Sequence, residues 1–233
     1  MYAAVSAGGV YATGHGGRNW QARNRGVRVT FMPEAYPEFG QCVHKIVLHP
    51  DRPQRLFLQN HWGLYRSDNR GESWQDIANG VPSDFGFAMV MHPYDPDCVY
   101  IVPVESDEFR CTPEGRMRIF RTRNSGGSWE ALSRGLPQQR AYETVLRDGL
   151  TADTLDPLGL YCGTRSGSLF ASRDAGRSWA RILEGLPAIV CVRVALVGGA
   201  PEGPRRKPAG KQAARKPGAR ARAGHPRRRR ARR

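Results

Sequence analysis

Three stretches decide the fold: GLYRSDNRGESWQDIANGVP (63–82), RIFRTRNSGGSWEALSRGLP (118–137) and SLFASRDAGRSWARILEGLP (168–187). They align without gaps. Their tryptophans, Trp74, Trp129 and Trp179, stand 55 and 50 residues apart, and GVYATGHGGRNW (9–20) is a weaker copy whose Trp20 lies 54 residues before Trp74. The segments ahead of them repeat as well: VLHPDRPQRLFLQ (47–59), VMHPYDPDCVYIV (90–102) and the looser TADTLDPLGLYCG (151–163). A repeat of this length that recurs along the chain marks one supersecondary unit stacked several times.

One unit reads as four short strands. In the second full copy the first strand covers 87–92, the Pro/Asp-rich HPYDPD makes a turn, and the second strand covers 99–103. The third covers 118–122, a tight hairpin follows, and the fourth covers 129–132. Short apolar runs separated by Gly, Asp and Asn turns are the signal of strands, and no segment keeps a helical period over three turns. Four antiparallel strands per unit predict an all-β chain, a β-propeller of four-stranded blades, over residues 1–199.

The hairpins between third and fourth strands share the pattern Ser/Thr-x-Asp/Asn-x-Gly-x-Ser-Trp, seen at Ser67–Trp74, Thr122–Trp129 and Ser172–Trp179. The Asp or Asn can accept backbone N–H groups inside the turn. The Gly supplies a positive φ at little cost. The Trp offers a large ring to bury against the neighbouring blade. This pattern resembles the Asp-box, or BNR, repeat of the sialidase-like propeller superfamily, over nearly all of residues 2–198. The likeness is greatest to bacterial BNR-repeat proteins labelled glycosyl hydrolase or exo-sialidase. The resemblance implies that Asn69, Asn124 and Asp174 are turn-makers lying away from the working face. It also implies a chain usually longer than this one.

The start of the chain reads as the second and third strands of a blade, and IVCVRVALV (189–197) reads as a lone first strand. The two would close a ring of about four blades, or the chain would be the C-terminal part of a larger propeller. The resemblance favours the larger propeller.

In a meander, the second-to-third and fourth-to-first loops share one face. Function is expected there. The loop 104–117 (VESDEFRCTPEGRM) is longer than its counterparts, and long loops carry function more often than average. Its Glu105, Asp107 and Glu108, with Tyr142 and Glu143, are the candidate catalytic residues for a sialidase-like glycoside hydrolase. His61, Trp62, Asp84, Arg110 and Arg165 are candidate ligand-binding residues for a carbohydrate or protein partner. The alternative is that these acids merely pair with nearby arginines or stay solvated.

Charge and composition exclude other classes. Residues 201–233 carry 14 of the 36 basic groups and one acid, a charge of +13, whereas the first 200 residues carry only +2. Residues 200–233, rich in Arg, Ala, Pro and Gly, are expected to be disordered. They would bind nucleic acid weakly and without sequence preference, or are a read-through of GC-rich DNA. No apolar run of about 18 residues exists, so no membrane partner is expected. The N-terminus lacks the features of a signal peptide. The five cysteines form no CxxC pair and fit a reducing, cytoplasmic setting. No phosphate loop or metal-ligand spacing stands out, so no cofactor or metal is expected.

Overall fold

The computed structural model describes residues 1–197. The expectation of a disordered tail at 200–233 lies outside the described residues. Fifteen strands form four antiparallel meanders. Blade I holds β1 (Tyr2–Val5), β2 (Gly9–Ala12) and β3 (Gln21–Ala22). Blade II holds β4 (Val43–Leu48), β5 (Leu56–Asn60), β6 (Leu64–Ser67) and β7 (Gln75–Asp76). Blade III holds β8 (Gly86–Met91), β9 (Val99–Pro103), β10 (Ile119–Thr122) and β11 (Glu130–Leu132). Blade IV holds β12 (Leu150–Ala152), β13 (Leu160–Gly163), β14 (Leu169–Ser172) and β15 (Ala180–Leu183). The strands expected in blade III fall within a residue or so of those observed. Among the described residues no helix is long and apolar enough to cross a membrane.

The second strands of blades II and III are buried along their whole length. Period-two alternation explains how one strand serves two neighbours. On β5, Leu56 and Leu58 join Val10, Val27, Val43, Tyr65 and Trp74 in a cluster between blades I and II. Phe57 points the other way and joins Leu64, Met89, Val99, Ile101 and Phe120 between blades II and III. On β9, Val99 and Ile101 belong to that second cluster, while Tyr100 and Val102 join Leu160, Phe170 and Trp179 between blades III and IV. Burying one such side chain stabilises by about 1.5–3 kcal/mol, so the stacked clusters dominate the fold's stability.

The repeated hairpins are built alike. Ser67 Oγ accepts the Gly71 N–H at 2.8 Å, and Asn69 Oδ1 accepts the Ser73 N–H at 3.0 Å. Thr122 and Asn124 repeat this with Gly126 and Ser128 at 2.8 and 2.9 Å. Ser172 and Asp174 repeat it with Gly176 and Ser178, both at 2.9 Å. Blade I keeps the first half: Thr13 Oγ1 accepts the Gly17 N–H at 3.2 Å, but His15 stands where the others have Asp or Asn. Its Trp20 is correspondingly left exposed, whereas Trp74 and Trp179 are buried. The three expected turn-makers do make turns.

One expectation is corrected. Residues 189–197 form no strand and do not pair with β1; they make one parallel bridge, Cys191 to Asp148. Ile189 and Val192 instead pack on Gly163 of β13, where the missing side chain leaves bare backbone to cover. The apolar run caps blade IV and does not begin another sheet. Blade I accordingly has three strands.

Candidate functional site

The second-to-third and fourth-to-first loops gather on one face. Loop 61–63 carries His61 and Trp62, and loop 104–118 carries Asp107 and Arg110. His61 Nε2 lies 3.2 Å from Asp107 Oδ2, joining the loops of blades II and III. This bond is the main reason the Asp107 carboxyl sits below its usual range. The Arg110 Nε–H donates to the Asp107 carbonyl at 2.9 Å, and its guanidinium stands 5.9 Å from the centre of the Phe87 ring. Arg147 stands 5.4 Å from the same ring.

A run of rings lies beneath these polar groups. Phe31 meets Trp62 at 5.3 Å between centroids, Trp62 meets His61 at 4.2 Å, and His61 meets Phe85 at 4.9 Å. His44 packs on Phe87 at 4.7 Å and on His61 at 5.3 Å. Burial is the largest cause that pulls the His44 pKa down to about 4, and the nearby Arg147, His61 and Arg110 push the same way. His44 is therefore neutral at pH 7. Its Nδ1–H donates to the Gly86 carbonyl at 2.7 Å.

Of the candidate residues, the fold brings His61, Trp62, Asp107 and Arg110 together. The others are placed apart from this group or engaged elsewhere. Asp84 pairs with Arg28 at 3.2 Å. Glu143 Oε2 accepts the Ser166 hydroxyl at 2.6 Å. Tyr142, its chain neighbour, lies over Gly115 and is 69% exposed. The backbone of Glu105 is held by Cys111 and Ser83 at 2.7 and 3.1 Å, and its side chain is exposed. Glu108 and Arg165 are exposed on their loops.

Sequence reasoning missed Cys42, His44, Phe87 and Arg147. Cys42 and His44 are two residues apart where β4 begins, and their side chains meet at 3.7 Å beside the register shift between Val43 and Lys45. That spacing was the available signal. A cavity of about 330 Å³ lies between the first strands, lined by Ala4, Ser6, Val43, His44, Lys45 and Asp148. Lys45 Nζ contacts Asp148 Oδ1 there at 2.6 Å, tying blade II to the entry of blade IV. A larger cavity of about 480 Å³ sits among the hairpins of blades I and II, lined by Thr13, His15, Arg23 and Glu72. It holds no comparable grouping of rings and titratable side chains.

Comparison with known proteins agrees with this architecture. No protein-family model matches the chain. Over 105 residues, 42% of the chain, it is 26% identical to the vacuolar protein sorting/targeting protein 10 of Verticillium alfalfae, of which it spans 6%. An ancestral GH74 enzyme superposes with a TM-score of 0.60 at 20% identity, over 79% of this chain and 22% of that one. The GH74 enzyme of Niastella koreensis gives a TM-score of 0.51 at 13% identity, over 78% and 27%. The fold is that of a β-propeller. At these identities the likeness concerns fold alone, and the resemblance read from the hairpins fits it. The chain spans about a quarter or less of the length of these relatives.

Proposed function

We propose that this propeller is a binding module whose loop face takes a carbohydrate, and that it does no chemistry on it. The observation that carries the reading is where its exposed rings lie. Phe31, Tyr36, Phe39, Phe109 and Tyr142 are all well exposed, and all belong to the loops of that one face. Only Trp20 and Tyr94 among the exposed aromatic side chains described lie elsewhere. Separate rings set among polar groups suit stacking on sugar faces, and Arg110, next to Phe109 in the chain, supplies hydrogen-bond donors.

The hydrolase reading draws on the GH74 likeness and on the carboxylates of loop 104–118. Against it stands the state of Asp107. A general acid needs a raised pKa, whereas Asp107 is lowered by its bond to His61. Glu143 and Tyr142 are turned to different partners.

Titration calorimetry of the full chain against a panel of neutral and acidic oligosaccharides tests both readings. Binding is expected for some members, weakened about tenfold or more in Phe109→Ala or Tyr142→Ala, as suits the loss of one stacked ring. No binding across the panel sinks the carbohydrate reading. Hydrolysis of fluorogenic glycosides that disappears in Glu105→Ala or Glu143→Ala replaces it with the enzymatic one.

A further inference from the structure

The start of β4 and the end of β5 place three soft or borderline donors side by side. Cys42 just precedes β4 and His44 sits at its register shift, and the Cys42 Sγ lies 3.7 Å from the His44 Nε2. β5 pairs antiparallel with β4 through Val43 and Asn60, so the next residue, His61, comes alongside. Its backbone N–H donates to the Cys42 carbonyl at 2.9 Å, which fixes the approach. One ligand atom from each of Cys42, His44 and His61 lies within 4.8 Å of the others.

The groups behind the two rings matter as much as the donors. The bond from His44 Nδ1–H to the Gly86 carbonyl leaves the Nε2 lone pair facing the thiol. His61 Nε2 is held against the Asp107 carboxylate at 3.2 Å, so Nδ1 is the nitrogen of that ring left for a metal. Each imidazole thus has one nitrogen set against an acceptor, which leaves its other nitrogen as the candidate metal donor. Histidines that hold metals are oriented this way, one by a carbonyl and another by a carboxylate.

We propose that Cys42, His44 and His61 form a binding site for zinc, with a fourth coordination position open toward the loop face. The donor set, one thiolate and two imidazoles, selects a borderline-soft ion over calcium or magnesium. The spacing fits. With Zn–S near 2.3 Å and Zn–N near 2.0–2.1 Å, tetrahedral geometry needs about 3.6 Å between sulfur and nitrogen and about 3.3 Å between nitrogens. The Cys42–His44 distance of 3.7 Å already matches, and the His61 donor, within 4.8 Å of both, would have to draw closer when the ion binds. The Cys42 thiolate and the Asp107 carboxylate offset the charge of the ion. Three protein ligands and one open position is the arrangement of zinc sites that engage a further molecule, so the ion would stand in the floor of the ring-lined face. The inference does not depend on the carbohydrate reading, because the ion binds with or without a sugar present.

The probe is the metal alone. The full chain is treated with chelator, dialysed, and titrated with Co²⁺ and then with Zn²⁺ in competition. A near-ultraviolet thiolate-to-cobalt band together with intense red bands of tetrahedral Co²⁺ is expected, bleached by one equivalent of Zn²⁺. Cys42→Ser is expected to lose the thiolate band, and His61→Ala to lose affinity by at least a hundredfold. Asp107→Asn, which leaves the three ligands in place, is expected to weaken binding about 10–100-fold. Cys191→Ser is expected to leave the spectrum unchanged. Thermal unfolding without metal reports whether each variant still folds. Should Cys42→Ser misfold, protection of Cys42 from alkylation by Zn²⁺ in the unaltered protein carries the test, read by mass spectrometry. Absence of the thiolate band in folded protein, or alkylation of Cys42 that Zn²⁺ does not slow, overturns the proposal.

Discussion

At the scale of single residues, the hairpin position shared by Asn69, Asn124 and Asp174 shows what charge adds to a turn. All three accept a backbone N–H with the same oxygen. Only Asp174 titrates. Burial acts to raise its pKa, but hydrogen bonds from the Ser178 hydroxyl and N–H and from Ser172 outweigh it and bring the pKa down to about 2. The folded value lies below the ordinary carboxylate value, so the contribution is present above about pH 4 and fades as the pH falls toward 2. Asp174→Asn, the residue used by the other two hairpins, should therefore flatten the acid side of the stability profile. Urea midpoints at pH 5, 4, 3 and 2 should converge between variant and parent as the pH drops. A constant gap across that window would mean that the Asp174 charge contributes nothing. His49 and His92 are another matched pair, each accepting an N–H two residues on with its Nδ1, at 3.1 and 3.2 Å. They are turn residues of the first-to-second-strand loop.

At the scale of elements, the blades are joined by backbone as well as by side chains. The Trp179 N–H donates to the Arg134 carbonyl and the Trp74 N–H to the Arg25 carbonyl, both at 2.9 Å. The next residues, Gly135 and Gly26, have φ of 87° and 93°, and a Cβ at either would overlap the carbonyl oxygen of the same tryptophan. Gly135→Ala should lower stability by about 1–3 kcal/mol from backbone conformation alone, with more from the overlap. Chemical denaturation measures it, and an unchanged midpoint would show that the loop moves aside freely. These hairpins and strands were readable because their hydrogen bonds span only four residues and their apolar rows alternate within one strand. The cluster of Cys42, His44 and His61 was not, because its third donor and its Asp107 support come from another strand and another blade. A Cys-x-His pair at a strand start was the one trace of it in the sequence. The run 189–197 misled for the opposite reason: β-prone residues make a strand only where an edge awaits them, and here Gly163 offered a surface instead.

At the scale of the whole molecule, charge and fold are separate properties. The described propeller belongs to the nearly neutral part of the sequence, and the +13 segment follows it. Removing 200–233 should abolish retention on heparin or nucleic acid, and that retention should itself fall steeply with salt. The thermal transition should stay where it was. Retention that survives the truncation would place polyanion binding on the propeller. The two-sided packing of β5 and β9 has a wider consequence. Each blade shares its apolar rows only with the blades beside it, so stability behaves as a chain of nearest-neighbour couplings, much like a one-dimensional lattice of spins. The apolar part of those couplings runs through strand interiors, and the loops that carry Trp62, Asp107 or Tyr142 add only local contacts such as that of His61 with Asp107. Recognition and folding are thereby written in different letters of the same repeat. Substitutions at exposed loop residues such as Phe109 or Tyr142 should therefore leave most of the lattice beneath intact.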